Sequence, residues 1–296
     1  MNKVLLAGAT GYLGRFITQE LIERNFETRI IVRNKAKVNI KSPNLEIIEA
    51  QVTEPKSLKG ICKDLDVVIS TVGITRQKDG LTYMEVDYQA NVNLIDEAQK
   101  NGVTKFIYIS LLNGDKLRHI KGGEAKEKLV DYLKSSGLDY CIIRPNGFFS
   151  DMGDFLKMAK GGRIYLFGKG ELKMNPIHGK DLANVVVDSI NRNKQEINVG
   201  GPDILSHNEI AELALKAYGK PTKIVHFPDW IRRFVIWLFR TFTNQKTYGP
   251  IEFFLTIMVM DMQAPKYGKE KLEDFFNQEV KKQERTLPNQ VARPVG

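Results

Sequence analysis

The first 145 residues alternate between short apolar runs and stretches of helical period. Lys3–Ala7 is a short apolar run that stops at Gly8, and beyond Gly14 the residues Phe16, Ile17, Leu21 and Ile22 recur at helical spacing. Thr28–Val32, Leu45–Ile48 and Val67–Ser70 read as three further strands. Thr82–Asn101 predicts a long helix stopped by Asn101-Gly102, and Phe106–Ile109 a fifth strand. Glu124–Ser135 then predicts a helix ending before Gly137, and Tyr140–Ile143 a sixth strand. Strands that are apolar throughout are buried on both faces, which calls for a parallel sheet with helices on either side. The expected fold is α/β, a doubly wound, Rossmann-like sheet over residues 1–150, completed within about 176–200.

After Pro145 the pattern becomes irregular and predicts a smaller, mainly helical C-terminal substrate lobe over 151–175 and 201–277. Asn146–Asp154 reads as a loop and Ile164–Phe167 as a strand, while Ser206 and Glu209 form a capping box at the start of a helix. Asp229–Phe242 is the most unusual stretch. Ile231, Phe234, Val235, Leu238 and Phe242 fall on one helical face, with Trp237 and Phe239 beside it and Arg232, Arg233 and Arg240 interspersed. A second apolar run follows at Phe253–Met260. Residues 229–262 therefore carry three readings: a lid over a large apolar substrate, a surface for a membrane or protein, or ordinary packing of a helix pair. The segment 278–296, rich in Lys, Gln and Glu, is expected to be a flexible tail.

Composition narrows the class without naming it. The 296 residues carry 44 Lys+Arg against 35 Asp+Glu, a net charge of +9, spread evenly as 22 against 18 before residue 151 and 22 against 17 after it. An even excess suits anionic small molecules better than nucleic acid, which is not expected as a partner. Two cysteines, Cys62 and Cys141, make neither a disulfide framework nor a zinc site and point to a reducing compartment. The four histidines are scattered, with no metal-ligand spacing. The apolar start ends after four residues, too short for a signal peptide, and no apolar stretch reaches the ~18 residues of a membrane span. A cytoplasmic protein is expected, with contact at a membrane periphery left open.

The sharpest motif is Gly8-Ala9-Thr10-Gly11-Tyr12-Leu13-Gly14, between the first strand and the first helix. Gly8 suits a tight turn, Gly11 lets the backbone approach a pyrophosphate, and Gly14 lets helix and strand pack closely. The helix N-terminus adds free amides and a partial positive charge. The expected ligand is a dinucleotide, held by Gly8, Thr10, Gly11, Tyr12, Leu13 and Gly14. An NAD site usually has a carboxylate at the end of the second strand, but this chain has Val32-Arg33-Asn34-Lys35. Arg33 can grip a 2′-phosphate, with Lys35 or Arg15 adding charge, so the expected cofactor is NADP(H).

These residues, together with Ser70-Thr71-Val72-Gly73, Ile143-Arg144-Pro145, Asp181-Leu182-Ala183 and Gly200-Gly201-Pro202, resemble the atypical short-chain dehydrogenase/reductases. The similarity spans about 1–240 and is strongest to the NmrA-like and divinyl chlorophyllide reductase-like branch. It implies that Thr71, Val72 and Gly73 pass under the adenosine and ribose, and that Pro145, Asn146 and Phe148 flank the nicotinamide.

The resemblance weakens at the catalytic residues. The family's Tyr-x-x-x-Lys motif places its lysine at Lys126, but the tyrosine slot holds Gly122. Ser110 stands at the end of the fifth strand, where the family has a catalytic serine. Lys126 carries three readings: it holds the cofactor ribose, it supplies a proton if burial lowers its pKa, or it is a solvated helix lysine. Arg144 reads as a buried structural partner and His178 as a hydrogen-bonded turn residue. Reduction of an activated C=C bond needs no tyrosine, so the expected activity is hydride transfer to a bulky apolar substrate. The alternative is a non-catalytic NADP(H)-binding redox sensor or an accessory subunit of a membrane redox complex.

Overall fold

The computed structural model describes residues 2–74 and 80–286. Its first half runs β1 (Lys3–Ala7), α1 (Tyr12–Glu23), β2 (Glu27–Val32), β3 (Leu45–Glu49), β4 (Val67–Ser70), α2 (Ala90–Lys100), β5 (Lys105–Ile109), α3 (Lys121–Ser135) and β6 (Asp139–Pro145). The second half adds α4 (Gly153–Lys160), β7 (Ile164–Phe167), β8 (Lys173–Met174), α5 (Gly179–Asp188), β9 (Glu196–Val199), β10 (Leu205–Ser206), α6 (His207–Ala217), β11 (Ile224–Phe227), α7 (Asp229–Phe242), α8 (Gln245–Ile257) and α9 (Leu272–Thr286).

Seven strands form one sheet in the order β3-β2-β1-β4-β5-β6-β9, parallel throughout. The strands supply buried residues to both faces. Ile17 and Leu21 of α1 pack with Leu182 and Val186 of α5 on one side, and Leu94 of α2 packs with Leu129 and Leu133 of α3 on the other. The chain reverses its direction of travel across the sheet between β1 and β4. That switch point opens a crevice at the C-terminal ends of these strands, where ligands bind in such sheets.

The expected helix over 82–101 begins instead with a π-helical turn, Met84–Gln89, before α2. Buried Asn91 accounts for the widening. Its amide donates to the carbonyls of Val72, Val86 and Asp87, and its carbonyl accepts from the Ser70 hydroxyl at 2.5 Å. Helix α3 begins at Lys121, three residues earlier than its apolar spacing indicates, and takes Gly122 and Gly123 into its first turn.

The later chain builds a lobe around Phe149, Phe155, Ile164, Ile210, Leu272, Phe276 and Val280. The expectation of a flexible tail from residue 278 is corrected here, because α9 continues to Thr286. Phe276 and Val280, one helical turn apart, are buried in the lobe core, while the polar residues that suggested disorder form the outer face. Residues 287–296 lie outside the described ones. The capping box at Ser206 and Glu209 is present, with the Glu209 amide donating to the Ser206 hydroxyl at 3.2 Å.

The apolar face that the spacing picks out on α7 is split in the structure. Ile231, Val235, Ile236 and Phe239 are partly buried, whereas Phe234, Leu238 and Phe242 are exposed. The helix is apolar nearly all round, and its packing against α8 selects one of two available stripes.

Candidate functional site

The glycine loop is shaped by close contacts that leave no room for side chains. Gly8 adopts φ +87°, and a Cβ there would stand 2.3 Å from the Thr71 hydroxyl oxygen. A Cβ on Gly14 would stand 2.1 Å from the Gly8 carbonyl oxygen, so α1 can lie this close to β1 only with glycine there. Gly11 caps α1 without a side-chain hydrogen bond, and the first turn of the helix carries no acidic residue. Backbone amides and the positive end of the helix dipole therefore face an open cradle suited to a pyrophosphate.

Gly8, Thr10, Gly11, Arg33, Thr71, Val72 and Gly73 converge on one cleft of about 240 Å³ at the switch point. Arg33 also lines an adjoining groove of about 710 Å³, together with Thr10, Arg15 and Lys37. Lys35 is not part of this lining, and its backbone amide donates to Glu49 at 3.0 Å. Of the two residues expected to add charge beside Arg33, Arg15 lines the groove and Lys35 does not, while Lys37, two residues beyond Lys35, joins the lining. Leu13 is a core residue, so only its backbone is available to a ligand.

Tyr12 reaches across the fold. Its hydroxyl accepts a hydrogen bond from the Gly179 amide at 3.1 Å, and burial pushes its phenol up to about 12. Its ring packs on Phe148, with centroids 5.9 Å apart. Pro145 is the last residue of β6, two residues beyond the expected end of that strand, and Asn146 follows it with its side chain already engaged. Its buried side chain donates to Asn175 at 2.9 Å and to the Met262 carbonyl, and accepts from the Gly147 amide at 2.7 Å. It ties the lobe to the sheet.

Lys126 pairs with Asp87, Nζ to Oδ1 at 2.9 Å, and lies 5.7 Å from the Tyr108 ring centroid. Asp87 also accepts from the Ile74 amide at 3.1 Å, so it joins α3 to the strand-four loop. A Cβ on Gly73 would stand 3.0 Å from the Lys126 ammonium nitrogen, which puts this charge against the wall of the dinucleotide cleft. Burial alone draws the ammonium pKa down, but Asp87 and Tyr108 outweigh it and hold Lys126 above the ordinary lysine range. The reading in which burial makes Lys126 a proton source is therefore overturned. It is a fixed cation, and with a side chain mostly buried against Asp87 it is not the solvated lysine either.

Ser110 does not stand as a free acid. Its buried hydroxyl donates to Glu127 at 3.1 Å, and Glu127 accepts a two-pronged pair from Arg144 at 2.6 and 3.0 Å. The serine expected to be catalytic belongs to this buried network, because the charge of Glu127 requires every donor around it. Arg144 has the structural role expected of it. His178 caps α5 by accepting from the Lys180 amide at 3.2 Å, and burial lowers its pKa. Burial pushes the Cys62 thiol up to about 12 and raises that of Cys141, as suits core residues.

Tyr83 and Asp87 escaped sequence reasoning because they lie inside an apolar-patterned helix. A Cβ on Gly122 would stand 3.5 Å from the Tyr83 ring and 3.2 Å from the Phe253 ring. One on Gly249 would stand 3.0 Å from the other edge of Tyr83. The buried phenol of Tyr83 is thus wedged between α3 and α8, beside the slot the family tyrosine would fill. Phe253 belongs also to a mostly apolar cavity of about 1100 Å³, which runs from Tyr12 and Gly147 to Met258 and Phe275. Among the described residues no group of three His, Cys, Asp or Glu side chains is placed to hold a metal ion.

A parallel sheet of this order, with a glycine-walled cleft at its switch point and a lobe over the end of β6, defines a dinucleotide-binding protein of the Rossmann class. The chain belongs to the NAD(P)H-binding family, whose model matches residues 8–193. It is 29% identical to the chloroplastic divinyl chlorophyllide a 8-vinyl-reductase of Arabidopsis thaliana, over 92% of this chain and 75% of that protein. It is also 26% identical to the photosystem II assembly factor Ycf39 of Synechocystis, over 83% of this chain and 76% of that protein. Among solved structures, the Escherichia coli NADPH-dependent quinone oxidoreductase complexed with NADPH superposes with a TM-score of 0.72 at 15% identity, covering 93% of this chain and 99% of that one. The Campylobacter jejuni UDP-Glc/GlcNAc 4-epimerase gives 0.72 at 15% identity, covering 96% and 100%. The chain shares its fold with both of these enzymes. No helix among the described residues is long and apolar enough to cross a membrane, and the plant reductase relatives are named as chloroplastic, a compartment different from the expected cytoplasm.

Proposed function

We propose that this protein is an NADPH-dependent reductase that delivers hydride to an activated carbon–carbon double bond in a bulky, mostly apolar substrate. The observation that carries this reading is the apolar cavity of about 1100 Å³ beginning at Tyr12 and Gly147, where the glycine loop and the end of β6 meet. The relative named as an 8-vinyl-reductase supports it, since it aligns over 92% of the chain. When bound, NADPH supplies the hydride. The chain's own residues then have three tasks. The glycine loop and the first amides of α1 hold the pyrophosphate, and Arg33, with Arg15 and Lys37, favours the 2′-phosphate over a bare ribose. Lys126, kept protonated beside Asp87, donates to the nicotinamide ribose hydroxyls. Tyr12 walls the substrate side, with Phe148 packed against its ring.

In the reaction the substrate π bond breaks, one C–H bond forms with the hydride and a second with a proton from water, and NADP⁺ is left. Gly122 is compatible with this chemistry, because no alkoxide forms that a tyrosine must protonate. A second reading, a non-catalytic NADP(H)-binding sensor or accessory subunit of a membrane redox complex, draws on the same glycine and on the relatives named as assembly factors. NADPH oxidation in the presence of enones, quinones and vinyl-bearing tetrapyrroles separates the two. The reductase reading expects consumption with at least one of them and loss of both rate and cofactor affinity in Lys126→Ala. No consumption with any, and a Lys126→Ala variant altered in cofactor affinity alone, would establish the second.

A further inference from the structure

Helix α7 is held to the molecule on one side only. None of its residues is fully buried, and Trp230, Trp237 and Phe242 are 66%, 55% and 72% exposed. With Phe234 and Leu238 they occupy positions i, i+4, i+7, i+8 and i+12, one continuous stripe, in which Phe234 stacks on Trp237 and Trp237 meets Phe242 edge-on. The segment that carries the stripe is basic. Residues 220–247 hold Lys220, Lys223, Arg232, Arg233, Arg240 and Lys246 against Asp229 alone, so 6 − 1 gives +5 of the chain's +9. Counting Glu252, which pairs with Arg240, still leaves +4.

We propose that α7 lies in the headgroup region of an anionic lipid bilayer, with its tryptophans and phenylalanines inserted and its basic rim against lipid phosphates. Indole and phenyl groups beside arginine and lysine are the composition of an interfacial helix. Fourteen residues span about 21 Å, too short for a hydrocarbon core of about 30 Å, so the helix lies in the plane rather than across it. A second copy of this chain is a poor occupant, because pairing two such faces would oppose two patches of +4. Helix α8 links the surface to the interior. α7 packs against it, and its Pro250, Ile251, Phe253 and Phe254 line the large apolar cavity, with Phe254 at the same time exposed. An apolar substrate dissolved in the bilayer would thus meet the cavity mouth, a consequence that rests on the reductase reading. Membrane binding itself rests on α7.

Trp230 and Trp237 are the chain's two tryptophans, so intrinsic indole fluorescence reports on this face. The full chain is mixed at low salt with vesicles of phosphatidylcholine alone or of phosphatidylcholine with phosphatidylglycerol. The expected result is co-sedimentation with the anionic vesicles, a blue-shifted emission, and protection from aqueous quenchers. Phe234→Glu with Phe242→Glu, both on exposed positions, is expected to weaken partitioning at least tenfold while NADPH affinity stays unchanged. Lys220→Glu with Lys223→Glu is expected to remove the preference for anionic over neutral vesicles. Unchanged emission and no co-sedimentation with anionic vesicles would overturn the proposal. So would a concentration-dependent dimer that shields the tryptophans without lipid and is dispersed by Phe242→Glu. Both readouts are independent of turnover, so their failure leaves the reductase reading standing, and a missing activity leaves membrane binding standing.

Discussion

The proposed preference for NADPH rests on Arg33 more than on any other single residue. Arg33 projects from the end of β2 between the glycine-walled cleft and the groove lined by Arg15 and Lys37. A charge-assisted hydrogen bond is worth about 1.5–3 kcal/mol, so Arg33→Ala is expected to weaken NADPH binding about tenfold to a hundredfold and to leave NADH nearly unchanged in a fluorescence titration. Equal losses for both cofactors would contradict the 2′-phosphate assignment. Gly122 allows a second prediction. An added methyl meets the Phe253 ring at 3.2 Å and the Tyr83 ring at 3.5 Å, a tight contact that the better helix propensity of alanine offsets by about 1 kcal/mol. Gly122→Ala is expected to fold with stability within about 1 kcal/mol of the parent, by chemical denaturation. Gly122→Tyr overfills the same space and is expected to lose about 3 kcal/mol, without gaining carbonyl reductase activity. The motif with its missing tyrosine was legible in the sequence. The reason the gap is filled was not, because Tyr83 and Phe253 lie 39 residues before and 131 after Gly122 and carry no local pattern. Ser110 and Asn146 stand where the family has site residues, but what holds their side chains was not legible either, because Glu127 and the lobe junction at Asn175 and Met262 lie far off in sequence.

At the scale of elements, periodicity was informative where an element buries one clear face. Strands β1 to β6 and helix α1 follow their apolar spacing closely. Helix α9 did not announce itself, since Phe276 and Val280 are sparse apolar points in a charged stretch whose helicity depends on the lobe beneath it. Helix α7 failed in the opposite way, with two apolar stripes and no local rule to say which is covered. Helix α5 adds a pH response. Its cap is the unprotonated Nδ1 of His178, which accepts from the Lys180 amide, and burial sets this histidine below its ordinary value of 6.5. The unfolded chain then binds the proton more readily, so this part of the stability is complete above 6.5 and lost as pH falls below it. Between pH values of about 7.5 and 5.5 the parent is expected to lose denaturation free energy that His178→Asn, which keeps a capping oxygen but does not titrate, retains. The same pH slope in both proteins would remove His178 from this role.

The whole molecule divides its labour along one line, from the basic groove at Arg33, through the glycine cradle and Lys126, to the apolar cavity and the α8 wall. The parallel, doubly wound sheet and the glycine loop at the cofactor end of that line could be read from residues adjacent in sequence. The substrate end could not, since its cavity is assembled from the loop after β6, α4, α8 and α9, which are brought together only by the lobe core. The proposed reaction passes hydride from the cofactor to carbon of an apolar substrate. Single turnover with NADPH stereospecifically deuterated at the transferring position, followed by mass spectrometry of an enone or vinyl-tetrapyrrole product, tests it directly. One deuterium is expected on a former double-bond carbon, with the second hydrogen drawn from solvent. NADPH that stays reduced, or a product whose new hydrogens both come from water, would contradict it.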